Sequence, residues 1–250
     1  MPSWVDLATP DTDAARAFYG ELFGWTFAED ETGETDYIMC SKNGHSAAGM
    51  MTLSEEMAAS GMPPVWTSYV TVTNLDDAVG KVEGAGGTVM QGDIPVMEAG
   101  RMAVVADPAG AVICLWEAKE HIGCEVVNEH GALTWNELMT PDPAAVAPFY
   151  GEVFGWTAQV MPMPSGEYTV FFVEGGNEQG IAGAMVPPME GMPPFWGVYF
   201  HVDDAVATVE TARGLGAQVM MEATPMEGVG TLASMADPTG AMFSVMTPEG

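Results

Sequence analysis

Two carboxylates sit where they could do chemistry. Asp6 and Glu137 each lie on a short, largely apolar stretch, two residues after a tryptophan, in WVDLA at 4–8 and WNELM at 135–139. A carboxylate drawn partly out of water holds its proton more tightly and can serve as a general base. It can equally be a satisfied group that accepts hydrogen bonds from a neighbouring strand or a tyrosine hydroxyl. Other reactive side chains are sparse. Histidine occurs only at 45, 121, 130 and 201, and Cys40, Cys114 and Cys124 form neither a CxxC pair nor an even disulfide set. Three unpaired thiols suit a reducing, cytoplasmic setting. No GxGxxG and no GxxxxGK[ST] occurs, so the nucleotide-cofactor motifs are missing.

The composition narrows the partners. Six basic residues stand against 35 acidic ones, a formal net charge of −29. That field repels phosphate backbones and anionic lipid heads, which argues against nucleic acid or a membrane surface as the partner. No run of residues approaches the ~20 apolar positions a membrane helix needs, and the opening residues lack the charged and apolar regions of a signal peptide. The acids are scattered and read as a solvated surface.

The carboxylates must be positioned by elements, and the elements come in a repeat. WVDLATPDTDAARAFYGELFGW at 4–25 returns as WNELMTPDPAAVAPFYGEVFGW at 135–156, GMPPVW at 61–66 returns as GMPPFW at 191–196, and ADPAGA at 106–111 returns as ADPTGA at 236–241. Each copy opens with an alternating strand, then a helix. Thr9-Pro10-Asp11 supplies an N-cap, a first-turn proline and an acid, Phe18, Tyr19 and Leu22 recur at helical spacing, and Gly24 ends the helix. Pro148 falls inside the second copy's helix and predicts a kink or a shortened helix there. Short strands follow, then a second strand and helix from about Leu75 and Val206, then strands ending at Val112–Glu117 and Met242–Met246. Asp-Pro-x-Gly before each last strand fits a type I turn. The reading is α+β: four βαβββ units in two tandem pairs, residues 1–118 and 132–250, joined by a linker at 119–131. His121 and His130 in that linker are expected to be solvated, and His45 to face solvent from a hairpin.

Four βαβββ units, FYxxxFGW on the first helix of each half and ADPxGA before the last strand together resemble the vicinal oxygen chelate superfamily, which includes glyoxalases, bleomycin-resistance proteins and extradiol dioxygenases. WNEL, GMPPFW and VNEHGALTW are most similar to tandem glyoxalase-like proteins of actinobacteria. The resemblance spans essentially the whole chain. It implies that each pair curls into a cupped mixed sheet with helices outside, and that the concave face binds ligand through a divalent metal held by His, Gln or Glu. Carried over residue by residue, the ligand positions hold Trp4, Thr67, Trp135 and Gly197 on first strands, Cys114 and Ser244 on last strands, and Met51 and Met185 on the equivalent strands of the first and third units. None is a histidine or a carboxylate, so no cofactor is expected.

Strand parity then lists what would line each cup instead. The first would hold Trp4, Asp6, Tyr69, Cys114 and Trp116. The second would hold Trp135, Glu137, Met185, Tyr199, His201, Ser244 and Met246. The opposite faces, Val5 with Leu7 and Val198 with Phe200 and Val202, would pack under the helices. Apolar walls with few polar groups suit a small apolar or aromatic metabolite, and the 21 methionines suit either an adaptable wall or plain core filling. Glu137, His201, Tyr199 and Asp6 are the candidate acid/base residues, with lyase or isomerase chemistry implied by the resemblance. Sequestration of a drug or metabolite without turnover, and a metal-dependent lyase using irregular ligands such as Glu137 and His201, are the alternatives. The oligomeric state is open between monomer and homodimer.

Overall fold

The structure, a computed structural model, describes residues 1–29, 36–59, 61–163, 166–176, 179–189 and 191–249. The first half runs β1 (Pro2–Thr9), α1 (Thr12–Phe23), β2 (Thr26–Glu29), β3 (Ile38–Lys42), β4 (His45–Thr52), α2 (Glu55–Ala59), β5 (Val65–Thr71), α3 (Leu75–Val82), β6 (Thr88–Val96), β7 (Gly100–Ala106) and β8 (Val112–Ala118). The second runs β9 (Leu133–Met139), α4 (Pro143–Phe154), β10 (Trp156–Met163), β11 (Gly166–Val173), β12 (Ala182–Met185), β13 (Phe195–His201), α5 (Ala205–Gly214), β14 (Gln218–Met226), β15 (Gly230–Ala236) and β16 (Met242–Pro248). The strand orders are β2-β3-β4-β1-β5-β8-β7-β6 and β10-β11-β12-β9-β13-β16-β15-β14, two eight-stranded mixed sheets in an α+β chain. Among the described residues the short helix α2 has no counterpart in the second half.

Local sequence explains the helix ends, with one shift from expectation. The N-cap of α1 is Asp11, whose side chain accepts the Ala14 N–H, and that of α4 is Asp142, with Pro143 in the first turn. Thr9 instead accepts the Asp11 N–H through its hydroxyl at 3.3 Å, one step before the helix. Gly24 and Gly155 close the two helices in the left-handed region, at φ 69° and 68°. The helix α4 runs through Pro148 and keeps the same twelve residues as α1, so the expected shortening does not occur.

The chain forms two compact units, and each draws on both halves. The first comprises Met1–Ser3, Ser68–Gly123 and Trp135–Gly197; the second comprises Trp4–Thr67, Cys124–Thr134 and Val198–Gly250. The second βαβββ repeat therefore shares its core with the third, and the first with the fourth. Strand parity places the core side as expected: Val5, Leu7, Val198, Phe200 and Val202 join the second unit's core, with Phe18, Tyr19 and Phe243 from the repeat motifs and last strand.

The repeated motifs meet inside these cores. In the second unit the Trp66 indole N–H donates to the Tyr19 hydroxyl at 3.0 Å, and that hydroxyl donates to Asp237 Oδ2 at 2.9 Å. In the first unit Trp196 donates to Tyr150 at 3.1 Å, and Tyr150 donates to Asp107 Oδ2 at 2.8 Å. The other oxygen of each aspartate accepts backbone N–H groups of its own turn, from Thr239 and Ala241 or from Ala109 and Ala111. Gly110 and Gly240 close the turns onto the Asp107 and Asp237 carbonyls at 2.9 Å, as the type I reading requires. Burial, with a carboxylate alongside, holds Tyr19 and Tyr150 well above the usual tyrosine range, so both stay neutral donors. FYxxxFGW and ADPxGA recur because one half's tyrosine needs the other half's aspartate.

Residues 119–131 are tied down rather than free. Lys119 and His121 donate backbone N–H groups to the Ala99 carbonyl, Trp116 donates to the His121 carbonyl, and Cys124 donates to the Ala47 carbonyl. At the far end the Trp25 indole donates to the Gly131 carbonyl at 2.7 Å. His121 and His130 are accordingly half-buried instead of solvated: His121 stands edge-on to Trp116, and His130 Nδ1 accepts the Asp203 N–H. His45 is exposed at the start of β4, as expected.

Candidate functional site: two tryptophan–tyrosine–carboxylate relays

Asp6 is 2% exposed on β1 and Glu137 is 5% exposed on β9. Each is held by a tyrosine from the hairpin that follows. In the first unit the Trp135 indole N–H donates to the Tyr168 hydroxyl at 2.9 Å, and Tyr168 donates to Glu137 Oε1 at 2.8 Å. In the second unit Trp4 donates to Tyr37 at 2.8 Å, and Tyr37 donates to Asp6 Oδ2 at 3.3 Å. The tyrosine ring crosses one intervening strand, and a glycine there makes room. Gly183 on β12 is the register partner of Glu137, and a Cβ on it would lie 1.9 Å from the Tyr168 hydroxyl. Gly49 on β4 partners Asp6, and a Cβ there would lie 1.8 Å from the Tyr37 hydroxyl.

The electrostatics follow from this geometry. Burial raises Tyr168 and Tyr37 well above the usual tyrosine range, and the charge of Glu137 or Asp6 adds to the shift. Each tyrosine is thus a fixed neutral donor. The two relays differ in exposure: Trp4 is 3% exposed, whereas Trp135 is half-buried, with its ring edge beside Gly180.

The remaining sequence candidates fall into register pairs. Tyr69 pairs with Cys114 across β5 and β8, and Trp116 pairs with Thr71. Met185 pairs with Met139, Tyr199 with Ser244, and His201 with Met246. Ser244 also shares a 2.8 Å hydrogen bond with Ser234. Tyr199 and His201 belong to the second unit and Glu137 to the first. The His201 main chain binds the 131–132 backbone, and its Nδ1 is buried with no hydrogen-bond partner among the described residues. Tyr37, Tyr168, Gly49 and Gly183 are absent from the sequence-derived set; their signal is that Tyr37 and Tyr168 keep the same offset of 131 that aligns Trp4 with Trp135.

Two βαβββ repeats per half and mixed eight-stranded sheets define one class of protein. The chain belongs to the glyoxalase/bleomycin resistance protein/dioxygenase superfamily: residues 2–115 match the family of that name, and residues 135–246 match the glyoxalase-like domain family. Among its relatives is CFP32 of Mycobacterium tuberculosis, named a candidate glyoxylase, which is 42% identical over 99% of this chain and 94% of its own length. DnrV of Streptomyces peucetius, named an anthracycline biosynthesis protein, is 34% identical over 98% of this chain and 92% of its own. The fold is shared with the 2,3-dioxygenase LapB from Pseudomonas sp. KL28, at a TM-score of 0.67 and 15% identity over 100% of this chain and 92% of that one. It is also shared with the Mn(II)-bound glyoxalase from Novosphingobium aromaticivorans, at 0.64 and 14% over 98% and 81%.

The family implies a divalent metal, and the residues at the implied positions do not fit one. The indole N–H groups of Trp4 and Trp135 cannot ligate and are spent on tyrosines. Ser244 is paired with Ser234, and the thioethers of Met51 and Met185 suit soft metals. Among the described residues no group of three His, Cys, Asp or Glu side chains is arranged to hold an ion. Among them, too, no helix is long and apolar enough to cross a membrane.

Proposed function

We propose that the protein binds a small apolar or aromatic metabolite and that Glu137 accepts a proton from it in metal-independent lyase- or isomerase-type chemistry. The observation that supports this reading is the buried carboxylate presented beside a half-buried indole by a tyrosine that cannot itself ionise. The chemistry divides among three side chains. The Trp135 ring gives flat contact area, Glu137 takes the proton, and Tyr168 holds the carboxylate in place while the charge lasts. A relative named for anthracycline biosynthesis fits the same picture, since anthracyclines are flat aromatic molecules. The more deeply buried relay of Trp4, Tyr37 and Asp6 is the second candidate position for the same kind of ligand.

Native mass spectrometry with elemental analysis of the purified protein is the test. A retained organic mass without a divalent ion supports the reading, whereas a stoichiometric ion whose removal abolishes activity sinks it. One observation favours a second reading, sequestration without turnover: Tyr168 already occupies Glu137 Oε1 with a 2.8 Å hydrogen bond. Glu137→Gln separates the two, because an enzyme loses rate far more than affinity and a sequestering protein has no rate to lose.

A further inference from the structure

The geometry points to what makes the two halves of the chain choose each other. We infer that the buried pair of Asn136 and Ser68 sets each half against the unlike half and excludes the like half of a second copy as its partner. The inference is independent of any ligand.

The repeated contacts cannot make this choice. Tyr19 meets Asp237 and Trp66, and Tyr150 meets Asp107 and Trp196. These residues are equivalent at offsets of 131 and 130, so a like half from a second copy would offer an identical set. The large apolar side chains discriminate no better. Phe18 and Phe23 on α1 are matched by Phe149 and Phe154 on α4. Either helix could therefore lie against the Phe200 and Phe243 of one core or the Val70 and Ile113 of the other. A chain whose two halves present interchangeable faces can pair with itself, with a second copy, or into open chains of copies.

Asn136 and Ser68 break that equivalence. Asn136 on β9 is 2% exposed and Ser68 on β5 is 1% exposed, and the amide of Asn136 donates to the Ser68 hydroxyl at 2.7 Å. Both lie in the first unit. The equivalent positions in the second unit are Val5 and Val198, 0% and 1% exposed in its apolar core. The two polar residues thus share one unit and the two valines share the other. Like halves would spoil both matches. Two first halves would set Val5 of each copy against Ser68 of the other, and two second halves would set Asn136 against Val198. Each such contact leaves a buried polar group without its partner, and that penalty exceeds what the satisfied pair contributes. A single buried asparagine fixes register and partner in coiled coils by the same logic. With like halves excluded, the tether keeps the unlike half of the same chain at high effective concentration, and the chain closes on itself as a monomer.

Exchanging Asn136 with Val5 tests this at unchanged composition. In the full-length variant Val5→Asn with Asn136→Val, the unlike halves are mismatched in both units and the like halves are matched. Wild type and variant are refolded from urea as mixtures of light and heavy-isotope chains, then read by native mass spectrometry and carboxylate cross-linking. Wild type should give no cross-links between chains that join like halves. The variant should give at least about tenfold more dimer at equal concentration, cross-linked through like halves. A second variant, Asn136→Val with Ser68→Val, gives the first unit the valines of the second; it should fold and divide between monomer and like-half dimer. Adding Val5→Asn and Val198→Ser to it moves the polar pair into the second unit and should restore the monomer. An exchange variant that stays monomeric, or wild-type chains cross-linked through like halves, overturns the inference. Should the exchange variant fail to fold, the valine variant decides. If it is as free of like-half dimer as wild type, or cannot fold either, the pair serves stability rather than choice of partner and the inference falls.

Discussion

At Gly183 a methyl group has nowhere to go: the Tyr168 hydroxyl would stand 1.9 Å from it. Gly183→Ala must push Tyr168 off Glu137, which both strains the sheet and removes one donor from a buried carboxylate. The expected loss is about 1–3 kcal/mol of stability in urea denaturation, together with loss of ligand affinity. The thiols give a second prediction at this scale. Burial pushes Cys40 and Cys124 up to about 12 from 9.0, so both stay protonated in the folded chain while the unfolded chain ionises. Stability from these groups is complete below about pH 9 and is lost as pH rises toward 12, and the raised tyrosines act in the same direction. Iodoacetamide labelling at pH 8 should therefore be slow for both cysteines until denaturant is added. The sequence disclosed the carboxylates and their tryptophans through the repeat, and it offered a tyrosine hydroxyl as one partner for them. It did not disclose which tyrosine, because Tyr37 and Tyr168 sit 31 residues away from Asp6 and Glu137 and meet them only once β4 and β12 are in place.

Among the elements, α4 carries the clearest cost. Pro148 removes one helical N–H and crowds the preceding turn, yet the helix continues to Phe154, held by Val146, Phe149, Tyr150 and Val153 in the core. Packing outweighs propensity here, which is why local reasoning expected a kink or a shortened helix and the helix keeps its full length. Pro148→Ala should raise stability by up to about 3 kcal/mol, read as a higher Tm, with no change in the relay on β9. The helix starts show the same limit on a smaller scale. Thr9-Pro10-Asp11 holds three residues with capping or first-turn preferences, and only the geometry of Asp11 with the Ala14 N–H decides which one caps.

For the whole molecule, the informative feature is the exchange of repeats between compact units. Alignment of the two halves predicts equally well a tyrosine that finds its own half's aspartate or the other half's, so the exchange could not be read from the repeat. The structure places Tyr19 on Asp237 and Tyr150 on Asp107. Tyr150→Phe leaves a buried aspartate oxygen short of its donor and the Trp196 N–H short of its acceptor; about 1–3 kcal/mol should be lost, by urea denaturation, with Phe149 and Trp156 packing intact. The exchange also sets an order of events at the ribosome. All of the first unit has been made by Gly197, but the second unit needs β14, β15 and β16, which follow it. The apolar face of α1, with Phe18, Tyr19 and Phe23, is synthesised first and covered last. A nascent chain that must carry such a face until β16 has emerged is a natural client for chaperones, and slowing translation between Gly197 and β16 should harm its yield more than slowing it before α1 is made.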